Sequence, residues 1–156
     1  MEKGKQQQTE ISFYRVTRPD ELPDWATRRI LIDFFHETMK PYEDTREDIN
    51  SALDYMFSQA KYAGGYLMLA ELGGKLAGAV LMLHTGMSGY VPEDILLFIS
   101  VDPKLRGQGV GGRLMEHCWA VSEGDIKLHV DFDNPARQLY ERMGMEHVYA
   151  EMRLKR

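Results

Sequence analysis

Residues 95–114 constrain the fold more than any other stretch of the chain. Ile95-Leu-Leu-Phe-Ile-Ser-Val101 is almost continuously apolar, Asp102-Pro103 ends it, and Gly107, Gly109, Gly111 and Gly112 then crowd into six positions. A strand with so little polar alternation needs cover on both faces, which places it at the centre of a sheet. From Val110 onward, Leu114, Cys118 and Val121 recur at helical spacing. Buried strand, glycine turn and amphipathic helix in that order require a layered α/β domain.

The flanking sequence supplies the other layers. Residues 11–17 alternate apolar and polar side chains, as a half-buried strand does, until Arg18-Pro19-Asp20. Trp25, Ile30, Leu31, Phe34, Phe35 and Met39 predict a helix from Asp24 that Pro41 stops, and residues 47–62 predict a second after an acidic loop. Residues 66–72 and 75–84 are two apolar runs joined by Gly73-Gly74, the signal of a tight hairpin. After the loop at 85–92 and the central strand and helix, residues 126–132 read as a strand. Asp133 or Asn134 caps a helix with Pro135 in its first turn, and Gly144 ends it. Residues 145–154 read as a last strand. The order β-α-α-β-β-β-α-β-α-β describes one domain over residues 11–156, preceded by a polar tail at 1–10 that contains three consecutive glutamines.

Composition sets the outer limits. With 156 residues, 44% of them hydrophobic, the chain can bury a core without a metal or disulfide staple. Apolar runs of about five residues and a charged fraction of 28% exclude a membrane-spanning helix. Nineteen basic against 24 acidic residues give a net charge of −5, so no overall cationic field is present to hold a nucleic-acid backbone. The single cysteine, Cys118, and a start without the apolar core of a signal peptide point to a reducing cytoplasm. The five histidines show no metal-ligand spacing, so no metal site is expected.

The glycine turn carries the chemistry. Amide groups exposed at a helix N-terminus, with side chains removed so that a ligand can approach, make an anion site favoured by the helix dipole. A pyrophosphate fits it. Gly111 and Gly112 are poor residues for a helix on stability grounds alone, which favours a ligand as their explanation. A P-loop fails because no Lys-Ser/Thr follows the glycines. A dinucleotide fingerprint belongs in an early βαβ unit, whereas this turn follows four strands and two helices.

The turn resembles that of the GNAT superfamily of acyl-CoA-dependent N-acyltransferases. The family motif Arg/Gln-x-x-Gly-x-Gly/Ala is matched by Arg106-Gly107-Gln108-Gly109-Val110-Gly111, after a Val-x-Pro matched by Val101-Asp102-Pro103. A second signature, Ala-x-x-Leu-Tyr-x-x-x-Gly-Phe, is similar to residues 136–145, from Ala136 through Tyr140 and Gly144 to Met145. Together they cover about residues 95–147.

The resemblance implies a GNAT-like domain: a mixed, mostly antiparallel sheet with a splayed central strand pair and flanking helices. The implied cosubstrate is acetyl-CoA, with its pantetheine arm on Ile99 and Val101 and its pyrophosphate on the amides of Arg106, Gly107, Gln108, Gly109, Val110, Gly111 and Gly112. The Ile99 N–H is the implied oxyanion donor, and Tyr140, a phenol protonated at neutral pH, the implied donor to the departing thiolate. Asp133 occupies a column where the family often has Asn, and Asn134 follows as the candidate cofactor contact. The column of the family's glutamate base holds Ile95, so Glu93 and Asp94 become the candidate bases, with direct attack by a neutral amine as the alternative. Cys118 falls on an apolar helix stripe and reads as core. His84 reads either as an acceptor-site residue or as a strand-end histidine.

The implied acceptor site lies between the first-helix loop and the segment before the central strand. Glu37, Glu43, Asp44, Glu47 and Asp48 cluster there with Tyr42 and Tyr90, which favours a cationic amine: a small polyamine-like or basic amino-group substrate, or a basic peptide end. A solvated helix start explains the same acids equally well. The expected function is acetyl transfer from acetyl-CoA to an amine of a small molecule or peptide in a ternary complex. The alternative is a non-catalytic acyl-CoA-binding sensor. The apolar C-terminal strand is a candidate homodimer interface.

Overall fold

The computed structural model describes residues 10–156; the tail expected over 1–10 lies, apart from Glu10, outside them. Their element order is β1 (Ser12–Val16), α1 (Arg28–Thr38), α2 (Arg46–Met56), β2 (Gly65–Leu72), β3 (Lys75–His84), β4 (Asp94–Val101), α3 (Val110–Val121), β5 (Ile126–Leu128) and α4 (Ala136–Arg142). Strands β1 to β4 pair antiparallel in sequence order, and β5 joins β4 in parallel. This is the mixed, mostly antiparallel α/β sheet that the motifs imply. No helix among the described residues is long and apolar enough to cross a membrane.

Local chemistry sets the helix ends. The helix expected from Asp24 opens instead as a 3-10 turn, Asp24–Ala26, because the Thr27 side chain accepts from Ile30 N–H and starts α1 at Arg28. Thr45 caps α2 in the same way through Asp48 N–H. Helix α2 ends at Met56, short of residue 62, where Ser58 Oγ accepts from Ala60 N–H and the chain turns back.

Strand alternation divides the core in two. Leu67, Leu69, Leu81 and Phe98 face α1 and α2, where Leu31, Phe35, Ile49 and Leu53 are fully buried. Met68, Val80, Met82 and Leu96 face α3 and pack on Val110, Leu114 and Cys118. Both faces of β4 are thus covered, as its apolar sequence requires.

A bulge in β4 shapes the site. Met82 pairs with Leu96 and Leu81 with Phe98, so Leu97 is the extra residue. Pairing between β4 and β5 stops at Leu96 and Leu128. Strand β5 therefore ends at Leu128, not at 132 as its composition predicts, and the two strands part beyond it.

The strand expected over 145–154 does not form. Val148, Tyr149, Met152 and Leu154 are exposed. Their alternation with polar residues satisfies one requirement of a strand, but a ladder also needs a partner edge, and β5 is only three residues long.

Candidate active site

The splay leaves defined backbone groups unpaired. Asp102 N–H bonds to Ala77 C=O on β3 at 2.8 Å. Successive residues of a strand point their polar groups to alternate sides, so those of Val101 and Ile99 point away from β3, toward the gap that β5 has left. The two residues expected to meet the pantetheine arm lie on this edge, where Arg106 Nε takes the Val101 C=O and leaves its N–H.

The glycine turn continues directly from that edge. Asp102 Oδ1 accepts from Lys104 N–H at 2.9 Å and sets a 3-10 turn over Pro103–Leu105. Gly107 and Gly109 then adopt φ of +75° and +82°, with open space where a Cβ would stand. The first bond of α3 runs from Arg113 N–H to Gly109 C=O at 3.1 Å. The amides of Val110, Gly111 and Gly112 precede it and have no partner within the helix, which makes them an anion cradle at the positive end of the helix dipole. A diphosphate fits this donor set.

Of the other two glycines, Gly111 has a packing reason as well and Gly112 has none. A Cβ at Gly111 would stand 3.2 Å from Leu139 Cδ2 and 3.7 Å from Val101 Cγ2, so this glycine admits α4 against the start of α3. At Gly112 the nearest atoms, Met143 Sδ and Leu139 Cδ1, are 3.8 and 4.0 Å away, an ordinary contact. Trp119 Nε1 donates to Met143 C=O at 3.4 Å and completes the docking of α4.

Arg106 plays a part that its side-chain type does not reveal. Its Nε donates to Val101 C=O at 3.2 Å and an Nη to Thr38 C=O at 2.5 Å. The guanidinium thereby links the end of α1 to the end of β4, and among the described residues it makes no ion pair. Gln108 turns its side chain back to Lys104 C=O, at 3.5 Å.

Tyr140, on the docked helix α4, is half-buried, and among the described residues its hydroxyl makes no hydrogen bond. Burial pushes the phenol up to about 12. It is protonated throughout the neutral range and can donate. Asn134 Oδ1 accepts from Ala136 N–H at 2.9 Å, so this side chain is occupied in starting α4.

The two candidate bases lie apart from these groups. Glu93 Oε2 accepts from Asp125 N–H at 2.7 Å, and its side chain fills the space beside Gly124. Asp94 is only 3% exposed and its Oδ1 lies 2.6 Å from His84 Nδ1. His84 is thus a strand-end partner of Asp94, opposite it in the β3–β4 register. Asp94 is five residues before Ile99, a separation of about 16 Å along an extended strand. Cys118 is buried, and its thiol is pushed up to about 12 by desolvation, as a core residue's would be.

The acids of the α1–α2 region also separate. Glu37 pairs with Lys40 and Arg46, Asp33 pairs with Arg46, and Glu47 and Asp48 occupy the first turn of α2. Burial, then Asp48, raises the Asp44 carboxyl above its ordinary value. Glu43 keeps one carboxylate oxygen buried with no hydrogen-bond partner among the described residues. No sequence signal distinguishes it from the other acids. Tyr42 O–H donates to Asp133 C=O at 3.3 Å, bringing this loop to the segment between β5 and α4.

The sequence profile described as the Acetyltransferase (GNAT) family matches residues 26–145. A curated protein of Pseudomonas phage PaMx11 named 5-NmdU N-acetyltransferase is 28% identical over 122 residues, covering 76% of this chain and 85% of that protein. Among solved structures, the ribosomal-protein-alanine N-acetyltransferase of Brucella melitensis biovar Abortus 2308 superposes with a TM-score of 0.66 at 14% identity, covering 94% of this chain and 99% of that one. The aminoglycoside N-acetyltransferase AAC(6')-Iy in complex with CoA gives a TM-score of 0.64 at 13% identity and 95% coverage of both chains. At these identities the two structures are alike in fold.

Proposed function

From the premise that this chain belongs to the GNAT acetyltransferase family and is an N-acetyltransferase, we propose that it moves acetyl from acetyl-CoA to the primary amine of a basic acceptor, in its neutral form, by direct attack in a ternary complex. The observation that supports the site assignment is the succession of two unpaired donor sets, the N–H groups of Ile99 and Val101 on the β4 edge and those of Val110, Gly111 and Gly112 in the first turn of α3. The edge holds the pantetheine arm and the helix start holds the pyrophosphate, with Gly107 and Gly109 letting the phosphates approach.

The chemistry follows from those positions. The neutral amine attacks the thioester carbon, and Ile99 N–H supports the charge that develops on its oxygen. The C–S bond breaks with its electron pair on sulfur. Tyr140 O–H gives the thiolate a proton, and the nitrogen loses one as the amide forms. That proton restores the Tyr140 phenol, so neutral amine and acetyl-CoA give the N-acetyl compound and CoA thiol with no net proton. Tyr140 suits the step because burial keeps it protonated while leaving its hydroxyl free of protein acceptors. Glu93 and Asp94 already have protein partners, which favours attack by an amine that arrives neutral.

The anionic loop of Glu43 and Asp44 supports the cationic acceptor. The phage relative supports including 5-NmdU among the acceptors tested. Thiol release from acetyl-CoA across a panel of amines tests the reading; acetyl-CoA binding without release by any amine overturns it. Tyr140→Phe lowers kcat by roughly 100-fold with little change in acetyl-CoA affinity. An unchanged kcat removes the tyrosine from the mechanism.

A further inference from the structure

A cavity of about 380 Å³ lies beside the C-terminal end of α3, where Tyr66, His84 and Asp94 from one end of the sheet meet Ser122 and Glu123. Asp94 shares a face of β4 with Leu96, which packs on α3, so the cavity is on that face. The twelve residues of α3, about 18 Å of helix, separate Ser122 from the amides of the anion cradle. The cavity is therefore apart from the site assigned above to acetyl-CoA.

One buried carboxylate in its lining is only half used. Asp94 is 3% exposed, and its Oδ1 lies 2.6 Å from His84 Nδ1. Its Oδ2 has no hydrogen-bond partner among the described residues, yet it is not sealed from solvent as Glu43 Oε2 is, and the surface that Asp94 keeps lines the cavity. A carboxylate accepts only, so the neutral His84 ring donates from Nδ1 and Nε2 is a second acceptor. Tyr66 O–H and Ser122 Oγ, 2.6 Å apart, satisfy each other. Of the charged lining residues Glu93, Asp94 and Glu123 are anionic and Arg15 alone is cationic, so the lining is acceptor-rich and negative.

A desolvated carboxylate oxygen is unfavourable until a donor meets it, and a cationic donor meets it best. A metal ion does not fit, because no three His, Cys, Asp or Glu side chains among the described residues are placed to hold one. A guanidinium does fit. It has five donors and no acceptor, is less strongly hydrated than an ammonium, and stacks on aromatic faces, for which the Tyr66 and His84 rings line the cavity. We propose that this cavity is a second binding site, for a small molecule carrying a guanidinium group, with Asp94 Oδ2 as its counter-ion.

The test follows carbethoxylation of His84 by diethyl pyrocarbonate in the wild-type protein, read by peptide mass spectrometry, with n-butylguanidine as the probe. At about 10 mM the probe should slow His84 modification roughly tenfold, as a Kd of about 1 mM implies, while His36, His117, His129 and His147 react as before. Saturating acetyl-CoA should leave this protection intact, and Asp94→Asn should weaken probe affinity at least about 10-fold. An unchanged His84 rate in the wild-type protein overturns the proposal, whether or not the variant folds. Equal protection by tetramethylammonium, which has the charge without N–H donors, or by butyrate overturns it as well. So does protection undiminished in a folded Asp94→Asn protein, or protection abolished by acetyl-CoA, which would make the cavity part of the cofactor site. All these outcomes leave the acetyltransferase reading standing, because amine-dependent thiol release tests that separately.

Discussion

Three alanine substitutions in the glycine turn should have three different effects. At Gly109, φ is +82° and no atom stands within 4 Å of a built Cβ, so Gly109→Ala meets only the backbone penalty of the left-handed region. That penalty is about 1–2 kcal/mol. At Gly112 the backbone is helical and the nearest neighbours are 3.8 Å away, so Gly112→Ala gains helix propensity, up to about 1 kcal/mol. Gly111→Ala has the same propensity gain but drives its methyl to 3.2 Å from Leu139 Cδ2, so that side chain must give by a few tenths of an ångström. For a chain of this size 1 kcal/mol moves Tm by about 2–4 °C. Thermal unfolding should place Gly109→Ala several degrees below wild type, Gly112→Ala at or above it, and Gly111→Ala between them. Leu139→Ala should relieve the Gly111→Ala defect in a double-mutant cycle, because it removes the obstructing atoms. Equal Tm shifts at Gly109 and Gly112 would refute the distinction between a glycine held at positive φ and one on a helical backbone.

Two further outcomes follow from buried groups and from the α1 tether. Cys118 and Tyr140 are both raised to about 12, so their protons are lost first from the unfolded chain. Stability is then intact below about pH 9 and falls as pH rises toward 12, by at most about 1.4 kcal/mol per pH unit for each group. Urea unfolding across that range should show a shallower slope in Cys118→Ala, and an identical slope excludes the thiol. Arg106→Ala should raise KM for the acceptor by loosening the end of α1, and Arg106→Lys should not rescue it, because one ammonium cannot replace two guanidinium donors aimed at separate carbonyls. Full rescue by lysine would mean that charge alone matters.

How far the fold was legible follows from what periodicity reports. The apolar runs of β2, β3 and β4 state that both faces of these strands are covered, and a core lies on each face of the sheet. Periodicity does not state which edge a strand meets. Ala150, Met152 and Leu154 alternate with Glu151, Arg153 and Lys155 as a strand would, yet no ladder forms there. Residues 129–132 fail for a related reason: β4 has already bulged at Leu97 and moved away from β5.

The site divides along the same line. Gly107 and Gly109 were legible because their role is local, a backbone conformation open to glycine. Gly111 was not, because its reason is Leu139 on the following helix. Arg106 reads as a cofactor residue in its motif, while its side chain acts on Thr38, a carbonyl distant in sequence. The exposed edge at Ile99 and Val101 depends on one inserted residue whose side chain, leucine, is unremarkable in an apolar strand. A motif can therefore locate the glycine turn, but Thr38, Tyr42 and Asp133, through which the neighbouring segments meet, carry no motif. The Glu43 carboxylate oxygen, buried without a donor among the described residues, lies in one such segment, the connection between α1 and α2.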